Sequence, residues 1–120
     1  MAEERFKDGK LSGEGDYAPD GRRQGPWTFY YRNGRVKARG SYQAGQLVGE
    51  WEWFREDGGP LQRGAFVDGV QDGPWRRWHD TGAVLDEGVF VLGKKTGEWV
   101  TYDKAGNETQ RKTHRLRNAS

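Results

Sequence analysis

Side chains able to do covalent or metal chemistry are few and scattered in this chain. It has no cysteine, and its two histidines, His79 and His114, are 35 residues apart. Zinc sites use cysteines or closely spaced histidines, so we interpret both histidines as structural or solvent-facing. No phosphate-binding glycine loop occurs, and no serine lies in a nucleophile motif. We therefore predict no catalytic residue, metal, cofactor or small-molecule substrate, and no enzyme.

Charged side chains are more informative, because their sign changes between neighbouring segments. Residues 25–48 carry four basic residues and no acid, whereas residues 49–72 carry six acids and two arginines. One interpretation is protection of strand edges against aggregation. The other is an acidic surface that attracts a basic protein partner. Its predicted partner-binding residues are Glu50, Glu52, Glu56 and Asp57, with Trp53 as an aromatic anchor.

The net charge of +2 does not favour nucleic-acid binding. The acidic segment interrupts any continuous basic stripe, so we predict no nucleic-acid partner. No apolar stretch approaches the length of a membrane span, and residues 1–7 lack the apolar segment of an export signal, so we expect none here. We expect no membrane insertion and a cytoplasmic location.

Glycine and aromatic residues follow a period of 24 residues, and this period must position the charges. Gly-x-Trp occurs four times, with the tryptophans at Trp27, Trp51, Trp75 and Trp99. Aromatic residues recur three positions later, at Tyr30, Phe54, Trp78 and Tyr102. Further columns are Gly40, Gly64 and Gly88, followed by Tyr42, Phe66 and Phe90. A constant period of this length indicates stacked supersecondary units, so we interpret the tryptophans as structural rather than as a sugar- or base-stacking surface.

Each unit is predicted to be a β-hairpin, because dipeptides such as Asn33-Gly34 and Asp57-Gly58 favour two-residue type I′ turns. This loop pairs Trp27 with Gly40, Trp51 with Gly64 and Trp75 with Gly88, so that each ring covers the glycine across from it. It also places Phe54 opposite Leu61 and Trp78 opposite Leu85. The segment from Gly45 to Gly49 and its repeats are expected to connect the hairpins, so that each Gly-x-Trp opens a strand.

The predicted fold is all-β: an elongated antiparallel meander of tandem hairpins in a single-layer twisted sheet without helices. Because side chains alternate along a strand, the column that begins at Tyr30 should lie on the face opposite the tryptophans. Residues 1–24 are predicted to form a degenerate half-repeat or cap. Residues 25–110 should form four units, starting near 25, 49, 73 and 97, with the last incomplete. Residues 111–120 should form a capping strand and a basic tail that includes Arg117.

The pattern Gly-x-Trp-x-x-aromatic-x-x-x-Gly, followed by Gly-x-aromatic and a further glycine, resembles the MORN-variant repeat over about residues 15–110. It is similar to the bacterial YwqK-like family, many of whose members are labelled antitoxins. The resemblance implies a hairpin-repeat protein that binds and neutralises a toxin, or the immunity partner of a secreted effector. The alternative function is a structural or scaffolding protein that tethers other proteins.

Overall fold

The computed structural model describes residues 1–115 as one open sheet of ten antiparallel strands, each paired with its neighbour in sequence. The strands are β1 (Ala2–Arg5), β2 (Leu11–Tyr17), β3 (Arg23–Tyr30), β4 (Val36–Gln43), β5 (Gln46–Phe54), β6 (Pro60–Val67), β7 (Val70–Trp78), β8 (Val84–Val91), β9 (Lys94–Tyr102) and β10 (Glu108–His114). The molecule measures 45 × 41 × 17 Å. The shortest dimension, 17 Å, is the thickness of a single layer. The predicted fold class is confirmed. Over residues 1–115, no helix is long and apolar enough to cross a membrane.

The predicted tryptophan–glycine register is present. Cα partners are Trp27 with Gly40, Trp51 with Gly64, and Trp75 with Gly88. The four repeat tryptophans are among the most buried residues, with exposures between 1% and 7%. A single-layer sheet therefore buries its indoles by packing hairpins side by side.

The prediction of which glycine each ring covers was wrong. The Trp51 ring lies on Gly40 of the preceding hairpin, and a Cβ at Gly40 would overlap the indole. In the same way Trp27 covers Gly15, Trp75 covers Gly64 and Trp99 covers Gly88. Each indole N–H donates to the carbonyl after the covered glycine, at Asp16, Ser41, Ala65 and Val89, over 2.8 to 3.2 Å. The tryptophans thus join successive hairpins.

The turns within hairpins also differ from the prediction, because they have three residues rather than two. Tyr31 N–H donates to the Arg35 carbonyl, and Gly34 N–H donates back to the Tyr31 carbonyl. Gly34 has a φ of 88°, whereas Asn33 stays outside the left-handed region and accepts a hydrogen bond from Arg35 N–H at 2.9 Å. These features match a type I turn followed by a left-handed glycine.

The longer turn changes the pairing close to it. Phe54 faces Pro60 and Trp78 faces Val84, so the predicted pairs with Leu61 and Leu85 do not form. A bulge lies next to each of these pairs, between Trp53 and Phe54 and between Arg77 and Trp78. It restores the predicted tryptophan–glycine register further from the turn. The tryptophan–glycine pairs therefore agree with the prediction although the predicted turn type was wrong.

Type I′ turns occur instead between hairpins, where both loop residues have positive φ: Ala44-Gly45, Asp68-Gly69 and Leu92-Gly93. The predicted connecting segments thus contribute mainly to strands. Strand β5 begins at Gln46, ahead of the Gly-x-Trp motif, which lies inside the strand rather than opening it. Gly49 has a φ of 68° beside an irregularity in the β4–β5 pairing.

The two ends of the chain extend the same sheet. Residues 1–24 hold a complete hairpin, β1 and β2, and the start of β3 rather than a half-repeat. Strand β10 begins at Glu108 and runs to His114, so the strand at this end includes residues 111–114 and starts before them. The rest of the predicted tail, including Arg117, lies outside the described residues beyond Arg115.

Candidate binding surfaces

The two faces of the sheet have different chemistry. We call the face that carries Trp27, Trp51, Trp75 and Trp99 the aromatic face. The opposite face, which carries Arg39, Glu52, Arg63, Arg76 and Glu87 in one cross-strand row, is the charged face. As predicted, the column that begins at Tyr30 lies on the charged face, where the Tyr30 hydroxyl donates to Glu14 at 2.6 Å.

Aromatic rings form a continuous stack over the first part of the aromatic face. Phe29 lies between Trp27 and Trp51, at centroid distances of 5.7 and 6.4 Å. Trp53 lies between Trp51 and Trp75, at 5.8 Å from each. A second ring meets each repeat tryptophan edge-on: Tyr17, Tyr42, Phe66 and Phe90, at 5.0 to 5.2 Å. Trp53 is therefore part of the stack, and not an isolated anchor.

At the N-terminal end of this face, Arg23 stacks over an aromatic cluster. Its guanidinium carbon lies 5.0 Å from the Trp27 ring centroid and 5.1 Å from that of Phe29. Both Glu4 oxygens accept from the Arg23 guanidinium at 2.9 Å, and the Tyr17 hydroxyl also donates to Glu4. Burial alone would raise the pKa of Glu4, but these hydrogen bonds and the charge of Arg23 lower it overall.

The C-terminal end of the same face has a hollow of about 290 Å³. Its lining includes Arg77, Asp86, Lys95 and Trp99. Arg77 forms two hydrogen bonds to the buried Asp86, at 2.9 and 2.6 Å, and this pairing raises the pKa of Arg77. The ammonium nitrogen of Lys95 lies 4.6 Å from the Trp99 ring centroid.

The charged face neutralises itself. Arg39 meets Glu52 at 3.5 Å, Arg76 meets Glu87 at 2.8 Å, and Arg63 bonds Glu50. A shallow groove of about 600 Å³ is lined by Glu50, Arg63, Arg76 and Glu87, and it runs from β5 to β9. Exposed ion pairs contribute little stability, and here they leave little net charge to attract a ligand.

The five residues predicted to bind a partner do not share one surface. Glu50 and Glu52 lie on the charged face, each beside an arginine. Trp53 lies on the aromatic face. Glu56 and Asp57 lie in the turn between β5 and β6, where Asp57 accepts from Gly59 N–H at 2.8 Å. Their contact with a basic partner stays a prediction, but no single flat surface holds all five.

Polar side chains at the turns connect neighbouring hairpins. Tyr31, Arg55 and His79 occupy equivalent positions, and each bonds a carbonyl of the next unit, at Phe54, Trp78 and Tyr102, over 2.7 to 2.8 Å. His79 therefore has the structural role that its sequence context indicated. Within residues 1–115, no group of three or more His, Cys, Asp or Glu side chains could hold a metal ion.

Sequence reasoning missed the cations that lie over the first and last repeat tryptophans, Trp27 and Trp99. Arg23 and Lys95 occupy the same column, four residues before Trp27 and Trp99. The spacing of 72 residues, three times the repeat, was a signal that could have identified them. Their partners could not be found in this way, because those side chains come from strands two positions away in the sheet.

Comparison with family models matches residues 23–44 to the MORN repeat variant. That segment is one hairpin, β3 with β4, and the later hairpins repeat its tryptophan and glycine positions every 24 residues. The match supports a MORN-repeat protein. MORN repeats are modules often involved in binding. Comparison with curated protein sequences gave no match.

Proposed function

We propose that this chain is a protein-binding repeat module that neutralises a toxin or effector by covering a surface the toxin needs. The observation that carries the binding function is the contrast between a constant frame and varied neighbours. Every unit repeats the buried tryptophan and its covered glycine. Beside this frame, one aromatic-face row reads Phe29, Trp53, Arg77 and Thr101, and another reads Arg23, Leu47, Gln71 and Lys95.

Such an arrangement suits recognition of a protein. Repeat proteins offer extended surfaces, and a constant frame lets individual positions change without loss of the fold. The hollow of about 290 Å³ is at the lower limit of the roughly 300 to 1,000 Å³ of small-molecule pockets. It is suited to one side chain of a partner.

The toxin-neutralising part of the proposal rests on the resemblance to the YwqK-like family. It is tested by co-expressing the chain with the product of the neighbouring open reading frame in a host that the product inhibits. We expect restored growth and a complex that co-elutes in size-exclusion chromatography. Growth inhibition that persists with both proteins folded and abundant would contradict toxin neutralisation.

A scaffold that tethers two proteins is the second candidate, because two chemically distinct faces are open at once. A scaffold should bind a second protein while the first is bound. Light scattering of purified complexes separates the two functions. A complex with a single partner that excludes others supports neutralisation, and a ternary complex supports the scaffold.

A further inference from the structure

Each repeat tryptophan on the aromatic face has a pair of flanking positions that do not belong to the constant frame. One position lies four residues before the tryptophan on its own strand, and the other lies two strands earlier in the sheet. From the N-terminus the four pairs are Arg23 with Glu4, Leu47 with Phe29, Gln71 with Trp53, and Lys95 with Arg77. Glu4 and Arg23 are 19 residues apart, whereas Arg77 and Lys95 are 18 residues apart. The difference is one residue inserted in the longer turn between β2 and β3, so Glu4 and Arg77 are equivalent positions.

The first pair shows how this position is satisfied inside the molecule. Arg23 stacks on Trp27, and both oxygens of Glu4 accept from its guanidinium at 2.9 Å. Tyr17 meets the Trp27 ring edge-on at 5.2 Å and bonds the same carboxylate. A carboxylate, a cation and an indole thus form a closed cluster.

The last pair has the same frame but two cations. Lys95 lies over Trp99 as Arg23 lies over Trp27, and Phe90 meets the Trp99 ring edge-on at 5.0 Å. Arg77 stands where Glu4 stands in the first pair. Within residues 1–115, Arg77 pairs with Asp86, whereas Lys95 forms no salt bridge.

The surroundings of Trp99 add to the positive charge. Lys112 of β10 lies directly opposite Trp99, at the position that holds glycine in the interior hairpins, and it too has no salt bridge within the described residues. Of the two cations Arg77 and Lys95 in the lining of the hollow, Arg77 is already paired with Asp86, so the charge that an anion would neutralise is that of Lys95. The bidentate pair with Asp86 leaves Arg77 with N–H groups that can donate to a further acceptor.

We infer that the hollow between Arg77 and Lys95 binds an aspartate or glutamate side chain of a protein partner. The partner's carboxylate pairs with Lys95 as Glu4 pairs with Arg23 in the N-terminal cluster, and its segment lies against Trp75, Phe90 and Trp99. This inference rests on the proposed protein-binding function and assigns an acidic segment to the partner. A polynucleotide fits less well, because it needs a basic stripe and these cations form one local group.

The test is a titration of the intact chain with a capped eight-residue peptide of alternating Glu and Ser, followed through the indole N–H signals of the six tryptophans. We expect the Trp99 signal to shift with saturation at low salt, and the affinity to fall as salt rises. The same peptide with Gln in place of Glu should cause no shift.

Lys95→Gln should weaken peptide binding roughly two- to fivefold, the effect of one exposed charge pair. Lys95→Glu should abolish it, because the new carboxylate faces Arg77 and closes the site as Glu4 does. Lys94→Gln is the matched control, since Lys94 is an exposed lysine whose side chain alternates to the other face. The spectrum of each variant shows whether it is folded.

Three results would overturn the inference. One is a Trp99 signal that no peptide moves, and another is an equal loss of binding in the Lys94 and Lys95 variants. The third is tighter binding of an eight-nucleotide thymidine oligomer at the same site. If the Lys95→Glu variant still binds the partner protein, the carboxylate site is contradicted but the proposed protein-binding function is not. If the unaltered chain forms no complex with any partner, the proposed function itself is contradicted.

Discussion

The two ends of the aromatic face share one geometry and differ in charge. At the N-terminal end, the Arg23 guanidinium carbon lies 5.0 Å from the Trp27 ring centroid, and at the C-terminal end, Lys95 Nζ lies 4.6 Å from that of Trp99. Glu4 neutralises the first cation, whereas Arg77 occupies the equivalent place beside the second. The repeat frame therefore fixes where a cation sits. One residue two strands away determines whether the molecule satisfies that cation itself.

The terminal strands produce this difference. Strand β1 supplies Glu4, which joins the N-terminal cluster. Strand β10 supplies Lys112 opposite Trp99, where an interior hairpin has a glycine. Lysine at this position leaves no flat surface for a further indole and also discourages pairing of the edge strand with another chain. We expect the N-terminal end to be the better packed of the two.

The largest effect should come from removing the tryptophans. Trp27→Ala should destabilise the fold by about 3 to 5 kcal/mol, the range for a buried large aromatic residue. Trp99→Ala should cost less, because Trp99 is 7% exposed against 1% for Trp27 and has lysine rather than an aromatic ring toward β10. Urea unfolding of both variants measures the difference. Equal losses would show that the two ends are equally packed.

Truncation of the buried carboxylate at the C-terminal end should have the next largest effect. Asp86 is 7% exposed and holds Arg77 through two hydrogen bonds. Asp86→Ala should cost about 1.5 to 3 kcal/mol, the range for a hydrogen bond to a charged group, because it removes both bonds between Asp86 and the Arg77 guanidinium. Glu4→Ala should cost less, because the Glu4 side chain is 28% exposed against 9% for that of Asp86 and therefore loses less packing. Urea unfolding measures both stability losses. A larger loss for Glu4→Ala than for Asp86→Ala would contradict the expected ranking.

Acid should weaken the N-terminal cluster selectively. The pKa of Glu4 in the folded chain lies below its ordinary value of 4.5, so its contribution to stability is full above that value. The contribution is lost as pH falls through the lower, folded-state pKa. The stability difference between the unaltered chain and Glu4→Gln should therefore shrink on acidification. Thermal unfolding across this range measures it, and a difference independent of pH would exclude a role for the Glu4 charge.

Removing the Glu4 carboxylate from the N-terminal cluster should allow the peptide to bind there too. In Glu4→Ala, Arg23 remains over Trp27 without its carboxylate, so the Glu-Ser peptide should now shift the Trp27 indole signal as well as that of Trp99. Glu3→Ala is the matched control, because Glu3 is on the neighbouring position of β1 and bonds Arg5 instead. No new response at Trp27 would mean that the two ends are not equivalent binding frames.

The smallest effect is expected from the acidic segment. Glu52→Lys with Glu56→Lys should leave the fold intact, since both residues are exposed or half-buried. If these acids attract a basic partner, association with the co-expressed partner should slow and become less sensitive to salt. Binding kinetics at low salt measure this, and an unchanged association rate would remove these residues from the binding surface.

The repeat explains which parts of the fold could be predicted. A side-chain period of two along each strand, together with a period of 24 along the chain, was enough to separate the two faces, whereas the pairing of Trp51 with Gly64 was predicted from a two-residue turn. The turn type could not be read from Asn33-Gly34, because this dipeptide suits a type I′ turn and also a type I turn with a left-handed glycine. A compensating bulge, invisible in the pattern, kept the predicted register correct beyond the turn.

By itself, the sequence determined the all-β class, the single sheet and the separation of its two faces, because these follow from local periodicity. The tertiary structure alone decided that each indole covers the glycine of the preceding hairpin, because the direction in which a ring leans depends on neighbouring hairpins. It also brought Glu4 to Arg23, and it placed Arg77 and Lys95 in the lining of one hollow. The members of each pair are 18 or 19 positions apart in the chain, and they come from strands that are separated by one intervening strand of the sheet.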